Sequence, residues 1–160
     1  MQACYEQRRM FEKGNLLLFR PFVFKNGATP EDKFFISLGE LDEGILLASL
    51  PTSQKTRFGG REVETGCNEL DGGRTNVYKF KAGDLAAKSA DGREYCFPKD
   101  TYVVGKDLDT YPTINFLLQK NNGLLDNVKD YGVIVPEQMD KLIDCLKKSK
   151  AVRNKYKTIL

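Results

Sequence analysis

A threonine and a serine stand side by side in Pro51-Thr52-Ser53-Gln54, directly after an apolar run, and their hydroxyls are the groups in this chain best set for chemistry. A proline cannot donate a ladder hydrogen bond, so the strand-like run ends there and both hydroxyls leave it, to meet a ligand or to close a turn. The chain has no histidine. That removes the commonest general base, the Ser-His and Cys-His nucleophile pairs, and imidazole metal sites. Chemistry falls to hydroxyls, carboxylates, Lys, Arg, Tyr or backbone amides. Cys4, Cys67, Cys96 and Cys145 are widely spaced and form no C-x-x-C pair for zinc or redox exchange. Cys96 and Cys145 sit in apolar patterns, and the four are expected to be free thiols acting as small core residues in a reducing compartment. Gly105-Lys106 lacks the upstream glycine and the following Ser or Thr of a phosphate loop, which leaves a nucleotide-dependent enzyme without support.

The elements that must position the hydroxyls are three short apolar runs: Leu16-Leu17-Leu18-Phe19, Phe34-Phe35-Ile36-Ser37-Leu38, and Ile45-Leu46-Leu47-Ala48-Ser49-Leu50. Each is bounded by Gly, Pro, Asn or Asp and is too brief for a helix, so together they read as an antiparallel meander. Lys25-Asn26-Gly27 is a turn signal, and Gly39 to Gly44, with Glu40, Asp42 and Glu43, is an acidic turn. Residues 55–73 hold five glycines without a sustained period and read as a long surface loop. Asn76 to Phe80, Tyr95 to Phe97 and Thr101 to Val104 read as further strands, with turns at Ala82-Gly83-Asp84 and Asp91-Gly92. Thr113 to Lys120 suits a short helix stopped by Asn121-Asn122-Gly123, and Tyr131 to Val135 is a brief apolar run. Pro136 opens the clearest helix, in which Met139, Leu142, Ile143 and Leu146 recur at helical spacing as a core stripe.

At 160 residues the chain is expected to fold as a single domain over 1–160, large enough to bury a core without covalent staples. The net charge of +3 is uneven: Pro136 to Leu160 carries seven Lys or Arg against three acids, a local +4, and the rest sums to −1. Such an end suits nucleic-acid phosphates or an acidic partner, and it equally suits a solvated helix face with a frayed tail. The charged N-terminus shows no apolar run of signal-peptide length and no segment approaches a membrane span, so a cytoplasmic location away from membranes is expected.

A first strand at Gly14-Asn15-Leu16-Leu17-Leu18, a second at Asp32-Lys33-Phe34-Phe35-Ile36-Ser37-Leu38 and a third ending in Leu50-Pro51-Thr52-Ser53 together resemble the MazF/PemK family of toxin ribonucleases over about residues 13–54. The resemblance implies a mainly β fold with a C-terminal helix: an SH3-like small barrel over about 14–110 and a helical part over about 111–160. It also implies a homodimer, an acidic antitoxin partner, and cleavage of single-stranded RNA without metal or cofactor. In that family an Arg at the start of the second strand and a Thr of the third serve catalysis. Carried over by position, these are Lys33 and Thr52, with Ser53 beside Thr52; Arg20 and Arg57, either side of the proposed groove in sequence, are candidates for the planar contact of the missing Arg, and Gln54 is a further substrate-binding candidate. There a 2′-hydroxyl attacks the adjacent phosphorus while fixed donors stabilise the charge on the phosphate oxygens. Lys33 replaces the family's Arg and Phe34 its following Pro, so the cation is a point charge rather than a planar fork. The alternative is a non-catalytic barrel that binds protein or RNA, with Phe22, Phe24, Tyr78, Tyr95 and Tyr102 stacking on bases if exposed and forming core if not.

Overall fold

Leu16, Leu17, Leu18 and Phe19 are all buried, which means that this strand must be covered on both faces. The computed structural model describes residues 10–22, 27–51, 62–112 and 128–160, and in it the strand is β1 (Asn15–Phe22), the centre of a seven-stranded antiparallel sheet. The chain then forms β2 (Glu31–Leu41), β3 (Gly44–Ser49), β4 (Gly66–Leu70), β5 (Thr75–Phe80), β6 (Leu85–Lys88), β7 (Glu94–Cys96), β8 (Thr101–Val104), β9 (Asp109–Tyr111) and β10 (Val128–Ile134). Two short helices end it, α1 (Pro136–Lys148) and α2 (Asn154–Lys157). The large sheet runs β7-β6-β10-β1-β2-β3-β9, and the small one runs β4-β5-β8.

Alternation along β1 to β3 sorts their side chains onto two faces. Leu16, Ile36, Leu38, Leu46 and Ala48 meet Tyr78, Phe80 and Val103 of the small sheet and Leu142, Cys145 and Leu146 of α1 in the main core. The stripe read on α1 is therefore core. Leu17, Phe19, Phe22, Phe35, Ile45 and Leu47 cluster on the opposite face, with Met10 and Phe11 packed against them. Two buried polar groups fasten that lead-in: Asn15 Nδ2 donates to the Met10 carbonyl and Ser37 Oγ to the Phe11 carbonyl, at 2.9 and 2.7 Å. Each fully buried Leu or Phe stabilises the fold by roughly 1.5–3 kcal/mol.

The expected SH3-like barrel is not what the chain forms. Both sheets are open: β7 and β9 are the two edges of the large one and do not pair with each other, and β5 pairs with β4 and β8 instead of extending the meander. The fold is mixed α/β, with two open sheets and two short C-terminal helices. Within the segment read as helical, β10 pairs with β1 through Leu17↔Asp130, Leu18↔Lys129 and Phe19↔Val128. The loop read over residues 55–73 contains β4, an edge strand whose one large aliphatic is Leu70, too little for a period-two signal.

The free-thiol reading also fails for two cysteines. Cys67 on β4 and Cys145 on α1 are joined in a disulfide across 78 residues of sequence. Cys96 is a free thiol, yet it is exposed rather than core. The helix read over 113–120 and its Asn-Asn-Gly stop lie outside the described residues, as do Phe24 and Cys4. Among the described residues no helix is long and apolar enough to cross a membrane.

Two glycines make close strand approaches. A Cβ on Gly44 would stand 2.3 Å from the Tyr111 carbonyl oxygen, and one on Gly132 would stand 2.2 Å from that of Lys88; both residues have positive φ. Gly83 also has positive φ but faces open space. Gly44→Ala and Gly132→Ala should each cost about 3 kcal/mol in urea unfolding, from strain plus overpacking, whereas Gly83→Ala should cost about 1 kcal/mol. Equal losses at all three positions would contradict the close strand approach.

Candidate functional site

Lys33 lies near the start of β2, opposite Phe19 of β1, with its side chain 25% exposed and its Nζ 3.7 Å from Glu31. Phe35 pairs with Ser49 and Leu47 with Asp109, which brings one face of β2, β3 and β9 into a single concavity. Lys33, Ser49, Asp107, Asp109 and Tyr111 line a cavity there of about 110 Å³, floored by Phe35 and Leu47. Since a water occupies roughly 30 Å³, this is room for a phosphate-sized group and not for a nucleoside.

The cavity mixes signs. Asp107 ends the tight turn Gly105–Asp107, and the Asp109 carboxylate accepts the Thr110 N–H at 2.9 Å. Tyr111 packs edge-on against Phe22 and Phe35, and burial together with the Asp109 carboxylate pushes its phenol up to about 12. Its hydroxyl therefore stays protonated near neutral pH. Two larger clefts, about 590 Å³ beside Glu40, Leu41, Asp42 and Ile159 and about 430 Å³ beside Glu12, Asp91 and Asp130, have no cation among the described residues that line them. Among its described lining residues the smaller cavity has Lys33, whose charge favours an anion.

Thr52, Ser53, Gln54 and Arg57 lie outside the described residues. The strand leading to them is well placed. The Leu50 N–H donates to the Phe34 carbonyl and the Tyr102 N–H to the Pro51 carbonyl, both at 3.1 Å. The β2–β3 pairing ends at Phe35↔Ser49, and the Leu50 to Phe34 bond carries it one residue further. Arg20 is exposed and follows Phe19, the register partner of Lys33. Of the aromatics considered for base stacking, Phe22 and Tyr78 are buried, and Tyr78 donates its hydroxyl to Gln138 Oε1; Tyr95 and Tyr102 are half-buried.

Asp107, Asp109 and Tyr111 were not singled out from the sequence. A signal for them does exist: they alternate with buried Leu108 and Thr110, a period-two pattern with one polar face. What it lacks is any hint that this strand pairs with β3. Among the described residues no group of three or more His, Cys, Asp or Glu is arranged to hold a metal ion. The chain matches no family model, no curated protein and no solved structure.

The raised phenol of Tyr111 has a pH consequence. Its folded pKa of about 12 lies above the usual value near 10, so its contribution to stability is complete below pH 10 and is lost as pH rises towards 12. Tyr78, pushed up to about 12 by burial and Glu137, adds to the same loss. An absorbance titration should show one late-ionising tyrosine fewer in Tyr111→Phe, with a shallower alkaline fall in stability. Loss of an ordinary ionisation near pH 10 in its place would put Tyr111 in solvent.

Proposed function

We propose that the chain cleaves single-stranded RNA without a metal, by attack of a 2′-hydroxyl on the adjacent phosphorus, in the manner of the MazF/PemK toxins that residues 13–54 resemble. The observation that supports this reading is the β2–β3 register, which brings Lys33 and Ser49 to one phosphate-sized cavity, three residues before Thr52 in sequence. The reading does not depend on a barrel. Lys33 is assigned to the non-bridging phosphate oxygens, where a fixed ammonium offsets the charge that builds in the transition state. Thr52 and Ser53 hydroxyls donate to the same phosphate, and Arg20, Arg57 and Gln54 hold the flanking strand. A carboxylate of Asp107 or Asp109, which line the same cavity as Lys33, stands in for the missing histidine as proton acceptor for the attacking hydroxyl. A second copy of the chain and an acidic antitoxin are the protein partners of this reading.

A second reading, binding of RNA or protein without cleavage, is favoured by the same two carboxylates, which oppose an anion deeper in the cavity. An assay with purified protein and single-stranded RNA in excess chelator separates the two. Cleavage to 2′,3′-cyclic phosphate ends, reduced about 100-fold in Lys33→Ala and in Thr52→Ala, is the expected result. Intact RNA after prolonged incubation with folded protein would leave binding alone.

The basic C-terminal part supplies a further expectation. Lys147, Lys148 and Lys150 are exposed at the end of α1, whereas Lys155 is paired with Glu43 at 3.1 Å. If the first three contact RNA phosphates, replacing them with Gln should flatten the log–log dependence of affinity on salt by about 2, at roughly 0.7 per contact for a single strand. An unchanged slope would return these lysines to the solvent.

A further inference from the structure

The Cys67–Cys145 disulfide is asymmetric. Cys145 is fully buried in α1, whereas Cys67 is exposed on β4, which among the described residues is an outer strand of the small sheet. An incoming thiolate therefore has an approach to one sulfur and none to the other. Behind the pair stands Asn76 of β5, which is 1% exposed. Its Nδ2 donates to the Cys145 carbonyl at 3.3 Å and lies 3.2 Å from Cys145 Sγ and 3.8 Å from Cys67 Sγ. Its Oδ1 is buried and has no hydrogen-bond partner. Gly105, lacking a Cβ, leaves open the space beside that oxygen, since a Cβ there would come within 2.8 Å of it.

An orphaned buried acceptor is costly and calls for an explanation. A disulfide sulfur has no hydrogen to offer it. A thiol does. The same carboxamide holds its N–H beside Cys145 Sγ, a donor suited to a Cys145 thiolate, so it serves the pair in its reduced form as well as its oxidised one.

We propose that Cys67–Cys145 is a reversible thiol–disulfide exchange site, opened by a small thiol of the glutathione class that attacks the Cys67 sulfur and expels Cys145. In the first step the new bond joins the external sulfur to Cys67, and the bond to Cys145 breaks with its electron pair leaving on Cys145 Sγ beside Asn76 Nδ2. A second external thiolate then attacks the external sulfur of the mixed disulfide and releases Cys67. Two external thiols are oxidised to their disulfide, and their two protons pass to Cys67 and Cys145. A stabilised thiolate leaves faster, which gives Asn76 a positioning and leaving-group role. Reduction unties the last turns of α1 from β4, while the main core, which does not include Cys67, stays packed.

The test uses the full chain with Cys4→Ser and Cys96→Ser, equilibrated in reduced and oxidised glutathione mixtures, alkylated, and read by mass spectrometry with circular dichroism alongside. The pair should pass between disulfide and dithiol with the fold retained. Adding Cys145→Ser should yield a glutathione adduct on Cys67, whereas adding Cys67→Ser should leave Cys145 unmodified while the chain is folded. Asn76→Ala should slow reduction about tenfold, the scale of one hydrogen bond to a charged sulfur. A disulfide that resists glutathione until the chain unfolds, two free thiols in the air-oxidised protein, or adducts forming first on Cys145 would overturn the proposal. If the variants do not fold, the titration of the pair in the parent chain decides by itself.

Discussion

A strand with apolar side chains on both sides cannot stand at a protein surface, and β1 imposes that constraint on the rest of the molecule. Leu16 and Leu18 turn one way and Leu17 and Phe19 the other, so two separate layers must be recruited to exclude water. The chain supplies one from the small sheet and α1 and closes the other with aromatics, among which Phe19, Phe22 and Phe35 meet at centroid distances of 4.5–5.6 Å. Strands β2 and β10 flank β1 because its ladder groups need partners on both edges as well.

The parts legible in the sequence are those whose burial leaves a periodic trace. The runs that became β1, β2, β3, β5, β7 and β8 are apolar or alternating, and the stripe of α1 repeats at helical spacing. By contrast β4, β6 and β9 are short, with β4 and β9 at sheet edges, and their strand character comes from the neighbours they pair with rather than from their own composition. Closure was illegible for a related reason. Short strands separated by turns fit an open sheet and a barrel alike, and the difference lies in whether the two outermost strands meet, which no local pattern encodes.

The site divides along the same line. Lys33 and the segment entering Thr52 were visible because their strands are adjacent in sequence and the register follows from a tight turn at Asp42-Glu43. Asp109 and Tyr111 enter the same cavity through the β3–β9 pairing, more than sixty positions downstream of β3. The cysteines are the extreme case: their spacing carries no pairing information, and only the packing of α1 over the small sheet brings Cys67 and Cys145 together.

The two margins of the large sheet, β7 and β9, are three residues long apiece. A margin that brief gives another strand at most a few main-chain groups to pair with, each worth about 1 kcal/mol once water is displaced. Ribbon-to-ribbon growth into fibrils or into a continuous intermolecular sheet therefore finds little purchase at either side. Among the described residues, the brevity of these two outer strands acts as a brake on aggregation through the large sheet.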